Sequence, residues 1–360
     1  MNLIKKLFAA VLAVAMVFSI AGCHKKDEIA VTVGDVEFTS AYYMCALVFA
    51  DSEAKTIVDE NLSEEESKEE VDYYSQKVEK KDYVDWVKDK ALESLKTIAA
   101  YKIKCKEAKI DLEDDVKANA EMYASYYWSS YGYQALLEPN GVSQATYTKY
   151  MLDSYYSNRY FEFVYGKGGE KEIAADKVKD KMYENFEIAD VLEVSFSEKK
   201  DDEIKSLTTK FNGYFKDLKD GKKTFEQVYN EYNNVKEEDK KEEDKESEEL
   251  APLDELATLL GSKDTDYASD HFETVQKMKT NEVKLVELDE KAGLVILVKK
   301  DIKADPYYTE NLDVVARHLI ADEEYEKDME TYIKGLKLEE NTYATKRFKV
   351  KKIEYPEATA

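Results

Sequence analysis

The chain has 360 residues and carries 77 Asp and Glu against 53 Lys and Arg, a formal net charge of −24. So acidic a protein is a poor nucleic-acid binder, because phosphate contacts need clustered Lys and Arg. Only 4 Pro and 12 Gly beside abundant Lys and Glu favour long helices over an all-β fold, and the length supports more than one compact unit.

Lys5 and Lys6 form a positive n-region, Leu7 to Ile20 an uncharged apolar core, and Ile20-Ala21-Gly22-Cys23 closes the segment. The apolar stretch is too short to span a bilayer comfortably and reads as a signal peptide, residues 1–22. Its last four residues match the bacterial lipobox, in which the cysteine becomes the lipidated first residue of the mature protein. Cys23 is therefore the expected lipidation site, and the outer face of the bacterial cytoplasmic membrane the expected location. The alternative is a plain secretory signal followed by an incidental cysteine. Loss of Lys5 and Lys6 takes the charge to about −26, which should keep the protein off anionic lipid, so that the lipid supplies the attachment. One acyl chain anchors weakly and two signals hold stably; the lipobox match implies at least a diacylglyceryl group. The remaining Cys45 and Cys105 are not a disulfide framework, and read either as buried free thiols or as a pair. With no CxxC, no Cys/His cluster at metal spacing and only His24, His271 and His318, metal and His-base chemistry are hard to build; no metal and no cofactor is expected.

After a polar tether, residues 24–28, Ile29 to Thr39 reads as a hairpin: Val31 and Val33 alternate, Gly34-Asp35 turns, and Val36 and Phe38 follow. Thr39 or Ser40 is placed to cap a helix through Tyr42, Leu47 and Phe49. Asn61 to Glu70 is acidic, with Ser63 and Glu66 at capping-box spacing; otherwise it is a solvated insertion. The strongest helix spans Tyr83 to Ala108, where Val84, Val87, Ala91, Leu95, Ile98 and Lys102 recur at three- and four-residue intervals. A second covers Glu113 to Tyr131, Glu138-Pro139-Asn140-Gly141 breaks the chain, and a third runs from Ser143 to Tyr165. Gly166 to Gly169 is a joint, and Ile173 to Phe186 another helix.

This region is dense in tyrosine, of which the chain has 28. Tyr123, Tyr127 and Tyr131 share one helical face, with Tyr126, Trp128 and Tyr133 around it; Tyr147, Tyr150, Tyr155, Tyr156 and Tyr160 continue the pattern. Tyr combines broad apolar contact, a polar tip and little entropy loss, which suits a surface that grips varied polypeptides. The same rings can equally pack helix on helix. Tyr123, Tyr126, Tyr127, Trp128, Tyr131, Tyr155 and Tyr156 are the candidate polypeptide-binding residues.

From Ile188 the pattern becomes strand-like, with Ile188, Asp190, Leu192, Val194 and Phe196 alternating with their neighbours. A helix from Asp202 to Leu218 follows, ended by Gly221, then a shorter one from Phe225 to Tyr232. Lys236 to Glu249 is a charged low-complexity run of the mobile kind. Pro252 to Leu260 and His271 to Met278 read as short helices, with His271 capping or beginning the second. Val283 to Leu288 and Leu294 to Val298 form a hairpin. Beyond Pro306, Tyr308 to Leu336 is a long amphipathic helix, and Arg347 to Ile353 reads as a final strand. A lone helix and strand cannot form their own core, so they should dock on the N-terminal helices, the last strand pairing with the first hairpin.

Ala30 to Thr39 is similar to a "V-x-V-N-G-x-x-I-T" opening, Asn140-Gly141-Val142-Ser143 to a "G-[VI]-[ST]" helix start, and Leu218 to Glu226 to an "L-x-x-G-x-x-F-x-x-[LV]" segment. With the order of elements, these stretches resemble the extracytoplasmic foldases of the PrsA/SurA type. The resemblance implies an α+β fold: a mainly helical chaperone domain built from residues 23–186 and 303–360, with a parvulin-like α/β domain, residues 187–302, inserted between them. Parvulins accelerate rotation about X-Pro bonds, which is slow unaided, in a dry pocket that meets the twisted amide's hydrogen-bond demands. Two histidines on the sheet floor are expected in that family. Matching "H-I-L-V" to Asp190-Val191-Leu192-Glu193 puts Asp190 at the first position, and matching "G-[YF]-H-[IV]-[IL]" to Gly293 to Leu297 puts Val295 at the second. The "G-G-D-L-G" loop also lacks a counterpart, Lys236 to Glu249 and Ala251 to Asp254 standing there. The domain therefore reads as degenerate, with no catalytic residue. Ala316 to Ile320 resembles the first-strand motif locally, but the helical period continues through it and leaves His318 a helix residue.

The resemblance implies a membrane-anchored, ATP-independent chaperone for unfolded or nascent secreted polypeptides, with a homodimer left open. The acidic surface would favour basic or unfolded clients and keep the carrier soluble. The rivals are an active peptidyl-prolyl isomerase with an altered pocket and a structural or adhesion lipoprotein. A solute-binding lipoprotein fits less well, since its repeated βαβ pattern is missing.

Overall fold

The computed structural model describes residues 28–63, 71–234, 255–288 and 292–356. Cys23 with the signal peptide, His24, Lys236 to Glu249 and Ala251 to Asp254 lie outside the described residues, as does Glu66 of the Ser63 capping box.

In chain order the elements are β1 (Ile29–Val33), β2 (Val36–Thr39), α1 (Ser40–Glu60), β3 (Lys77–Val78), β4 (Lys81–Asp82), α2 (Tyr83–Ala108), α3 (Asp114–Ser130), α4 (Tyr133–Leu137), α5 (Gln144–Ser154), α6 (Tyr156–Tyr165) and α7 (Ala175–Asn185). There follow β5 (Phe186–Ser195), α8 (Asp201–Lys219), α9 (Phe225–Asn233), β6 (Ala257–Gly261), α10 (Phe272–Gln276), β7 (Val283–Glu287), β8 (Gly293–Lys299), α11 (Pro306–Gly335), β9 (Leu338–Glu340) and α12 (Thr342–Thr345). The fold is α+β, mostly helical with small antiparallel sheets. Two compact units form: one from the chain up to Val164, Gly168–Glu170 and the chain from Glu324 on, the other from Tyr165–Lys167 and Lys171–Glu323.

In the first unit, Gly34 takes φ +60° to turn the hairpin, and the Thr39 hydroxyl accepts from the Tyr42 N–H at 3.3 Å to start α1. The first half of α1 is apolar on every side, as a helix surrounded by other elements must be; Tyr42, Tyr43, Cys45, Leu47 and Val48 are all buried, packed with Val87, Ala91 and Leu95 of α2. Two buried carboxylates are paired within this core. Asp51 accepts from Tyr83 at 3.0 Å and Tyr355 at 2.7 Å. Asp153 accepts from Tyr42 at 3.1 Å and lies 2.5 Å from Lys102 and 2.9 Å from Lys149.

The sheet here has the order β2-β1-β9, with Val31 opposite Phe38 on one side and Glu340 on the other. The strand that pairs with the first hairpin is thus Leu338–Glu340, and the expected strand from Arg347 to Ile353 is corrected to a 3₁₀ turn at Val350–Lys352. Val350 and Ile353 are the buried residues there, a spacing of three that suits a 3₁₀ turn and not a strand. The tail is then held by Asn140, whose side chain donates to the Glu354 carbonyl at 2.7 Å and accepts from its N–H at 2.9 Å. The expected single helix from Ser143 to Tyr165 is divided at Tyr155 into α5 and α6. The Ser154 and Ser157 hydroxyls bond back to carbonyls three residues earlier, a habit that bends helices.

The second unit is built on an antiparallel sheet of order β6-β5-β8-β7. The expected helix over Pro252 to Leu260 is corrected: Ala257–Gly261 is β6, pairing Asp190 with Ala257 and Phe186 with Gly261. An open β5 edge needs partners for its backbone groups, and that demand overrides the helix propensity of Ala and Leu. On one face, α8 and α9 cover Leu192, Val194, Leu294 and Ile296 with Phe211, Tyr214, Phe225 and Val228. On the other, α10 lays Phe272 and Val275 over Ala189, Leu260, Val295 and Leu297. α7 and the first turns of α11 extend the unit through a third cluster of Val178, Met182, Phe186, Ile188, Tyr308 and Leu312. His318 lies in α11, its Nδ1 2.6 Å from Asp322.

Candidate functional site

α3 is fixed by its inner stripe. Ala120, Ala124 and Trp128 recur at four-residue spacing and are buried, which turns the opposite side outward. Met122, Tyr123, Tyr126 and Tyr131 are 57, 46, 52 and 63% exposed. Two of these rings meet each other and Tyr127: Tyr126 lies 5.5 Å from Tyr131 and 6.0 Å from Tyr127, and Tyr127 lies 5.1 Å from Tyr131. Gly132 takes φ +77°, a conformation that side chains resist, and so ends α3 sharply enough to place Tyr133 back toward Tyr147 at 5.3 Å. Beside this turn a recess of about 580 Å³ opens, lined by Trp128, Gly132, Ala135, Glu138 and Pro139 among others.

The seven candidate aromatic residues therefore divide. Tyr123, Tyr126 and Tyr131 are exposed; Tyr127 and Tyr155 are half-buried behind them. The Tyr155 hydroxyl is pushed up by burial first and then by the nearby Tyr123 and Tyr127. Trp128 is 5% exposed and belongs to the core, presenting only an edge to the recess. Tyr156 is committed elsewhere: its hydroxyl donates to Asp111 at 2.7 Å, which, with Lys117, holds the Asp111 carboxyl down to about 2. The recess escaped sequence reasoning; the signal for it was Gly132 between two tyrosines.

The sheet floor is arranged differently. In an antiparallel pair, residues directly opposite point to the same face. Val295 stands opposite Glu193, whereas Asp190 stands opposite Val298. Asp190 and Val295 thus lie on opposite faces, so the pairing of these two positions as one floor is corrected. Asp190 is fully buried and 2.9 Å from Lys300. Val295 is fully buried beneath α10 in an apolar layer with Leu260, Phe272, Val275 and Leu297. These five side chains carry no hydrogen-bonding atom for a twisted amide. On the rim, His271 Nε2 lies 3.2 Å from Glu193 Oε2, a pair 78 residues apart in sequence. Cys45 and Cys105 are free and buried; burial pushes the Cys105 thiol up to about 11. Among the described residues, no group of three or more His, Cys, Asp or Glu is placed to hold a metal ion.

No family model matches the chain, and no curated protein does. Among solved structures, the foldase protein PrsA from Streptococcus pneumoniae is similar at 12% identity and a TM-score of 0.34, over 65% of this chain and 77% of its own. The foldase protein PrsA from Lactococcus lactis is similar at 12% identity and a TM-score of 0.37, over 88% of this chain and 97% of its own. The chain is thus structurally similar to PrsA foldases over most of its length, at low sequence identity.

Proposed function

We propose that the protein is an extracytoplasmic chaperone, anchored through a lipid on Cys23, that binds unfolded secreted polypeptides without ATP. The observation that carries this reading is the outward face of α3. Exposed Met122, Tyr123 and Tyr126 on a helix locked by its other side, with exposed Tyr131 at its C-terminal end, are the kind of surface that marks an interaction site. Tyr rings and a thioether accept varied apolar segments with little ordering cost, and the Trp128 recess adds a place for a single apolar side chain. No catalytic residue is assigned.

The test is aggregation of a chemically denatured protein diluted into buffer with stoichiometric amounts of the mature chain. Wild type is expected to suppress aggregation, and the triple variant Tyr123→Ser/Tyr126→Ser/Tyr131→Ser to lose most of that effect while melting within about 1.5 kcal/mol of wild type, as surface substitutions do. Equal protection by the folded triple variant rules out this face as the client site. A cross-linking survey in cells separates the chaperone from a structural or adhesion lipoprotein, since a chaperone gathers many partners and a scaffold few.

A further inference from the structure

Against a net charge of −24, the segment from Thr342 to Ile353 carries five cations, Lys346, Arg347, Lys349, Lys351 and Lys352, and no carboxylate. The four lysines are exposed, and among the described residues none of them forms an ion pair. With Lys88, three of them, Lys346, Lys349 and Lys351, border a groove of about 590 Å³ whose apolar lining includes Tyr43 and Phe348. One carboxylate, Glu340, also lines it, and it accepts from the Thr345 hydroxyl. In the same segment Tyr343 is 73% exposed, with the Arg347 guanidinium 4.3 Å above its ring.

The position of this patch is as informative as its charge. Arg347 is bonded to Glu28 at 2.5 Å, and Asn341 donates to the Ile29 and Ala30 carbonyls at 3.0 and 2.8 Å. The basic segment is therefore stitched to the point where the N-terminal chain enters the fold. From Cys23 to Glu28 is five peptide steps, which reach at most about 18 Å when fully extended. A lipid on Cys23 would hold this end of the unit, and not the bulk of its acidic surface, next to the bilayer.

We propose that the Lys346–Lys352 segment is a docking surface for anionic phospholipid headgroups, orienting the first unit on the membrane; this rests on the reading of Cys23 as the anchor. The overall negative charge does not forbid it. At moderate salt, exposed charges farther than about 10 Å from the lipid surface are largely screened, so the membrane senses the local cluster. Basic residues near an anionic surface add roughly fivefold each to binding, and Tyr343 has the amphipathic ring that settles at the headgroup level. Expecting the net charge to keep the chain off anionic lipid treats the surface as uniform, which it is not.

The experiment is vesicle co-sedimentation of the mature chain with Cys23→Ser, which keeps every described residue and removes the acyl contribution. Vesicles containing phosphatidylglycerol are compared with phosphatidylcholine alone. At least tenfold tighter binding to the anionic vesicles is expected, weakening as salt rises. Lys346→Gln/Lys349→Gln/Lys351→Gln/Lys352→Gln should lose about fivefold per lysine, while Lys205→Gln/Lys210→Gln/Lys216→Gln/Lys219→Gln on α8, with the same change of charge, should bind as the parent does. Equal binding to both lipids, equal loss in both variants, or capture by soluble polyglutamate that anionic vesicles fail to displace overturns the proposal. Mass spectrometry of the membrane fraction separates this from the anchor: an acylated Cys23 with no anionic preference removes the docking surface alone, and an unmodified Cys23 with that preference removes the anchor alone.

Discussion

The outer face of α3 and the floor of the four-stranded sheet hold the two sets of candidate residues, and they differ in whether those residues meet solvent. On α3, the inner stripe of Ala120, Ala124 and Trp128 satisfies the core, so Tyr123 and Tyr126 are left outside, with Tyr131 exposed just past the helix end. On the sheet, α10 closes over Val295, and Asp190 is turned to the far side. Residue type nominated both places. Which side of its element each residue occupies decides between a surface that can bind and a layer that only packs.

The sharpest way to break this contrast is to treat one aromatic of the α3 set as core. Trp128→Ala should cost about 3–5 kcal/mol, read as a loss of melting temperature and denaturation midpoint, whereas the tyrosine triple variant should lose protection of clients and little stability. If Trp128→Ala instead melts like wild type and fails to protect, the division of the helix into a core stripe and a binding face is wrong. Next in size is Val295→His, which installs the residue type expected of an active parvulin floor. In a filled apolar layer the ring is overpacked and its polar nitrogens lack partners, costing about 3 kcal/mol together. Proline-limited refolding in the presence of this variant, or of wild type, should run at the spontaneous rate. Acceleration well above it, lost on deleting residues 187–302, would reopen the isomerase reading and point to the His271–Glu193 rim.

Local pattern carried much of the fold. The helix read from Tyr83 to Ala108 forms over those residues, because its apolar positions keep a 3.6-residue period for seven turns. Thr39 caps α1 by the hydrogen bond its side chain predicts. The two missed strands share a cause, which is that distant chain decides them. Leu338–Glu340 has one apolar residue and two acids and is a strand only because β1 offers its edge. Ala257–Gly261 is a strand for the same reason. The sheet floor failed through parity: shifting a match by one residue moves its side chain to the other face, and only the observed register, Glu193 against Val295, reveals it. The tyrosine cluster was legible as composition, but the split into Tyr123, Tyr126 and Tyr131 outside and Trp128 inside needed the packing of α3.

Two aspartates of the first unit, Asp51 and Asp111, extend the same contrast between inside and outside to pH. Burial raises the Asp51 carboxyl above its ordinary 3.8, opposed by Tyr355, Lys55 and Tyr83. A raised value means the folded state holds the proton more tightly than the unfolded chain does. Its contribution to stability is therefore fully present below 3.8 and is lost as pH rises through the raised folded value. Asp111, near the surface, is displaced the other way, to about 2, by Tyr156 and then Lys117. Its contribution is present above 3.8 and is lost as pH falls toward about 2. Asp51→Asn should thus gain on wild type as pH climbs above the ordinary carboxylate value. Asp111→Asn should be less stable than wild type at neutral pH, by under about 1 kcal/mol because solvent screens the site, with the gap closing in acid. Melting temperature followed against pH for the three proteins checks both signs, and parallel profiles for the two variants would mean that the buried and the surface carboxylate are not distinguished by their surroundings as described.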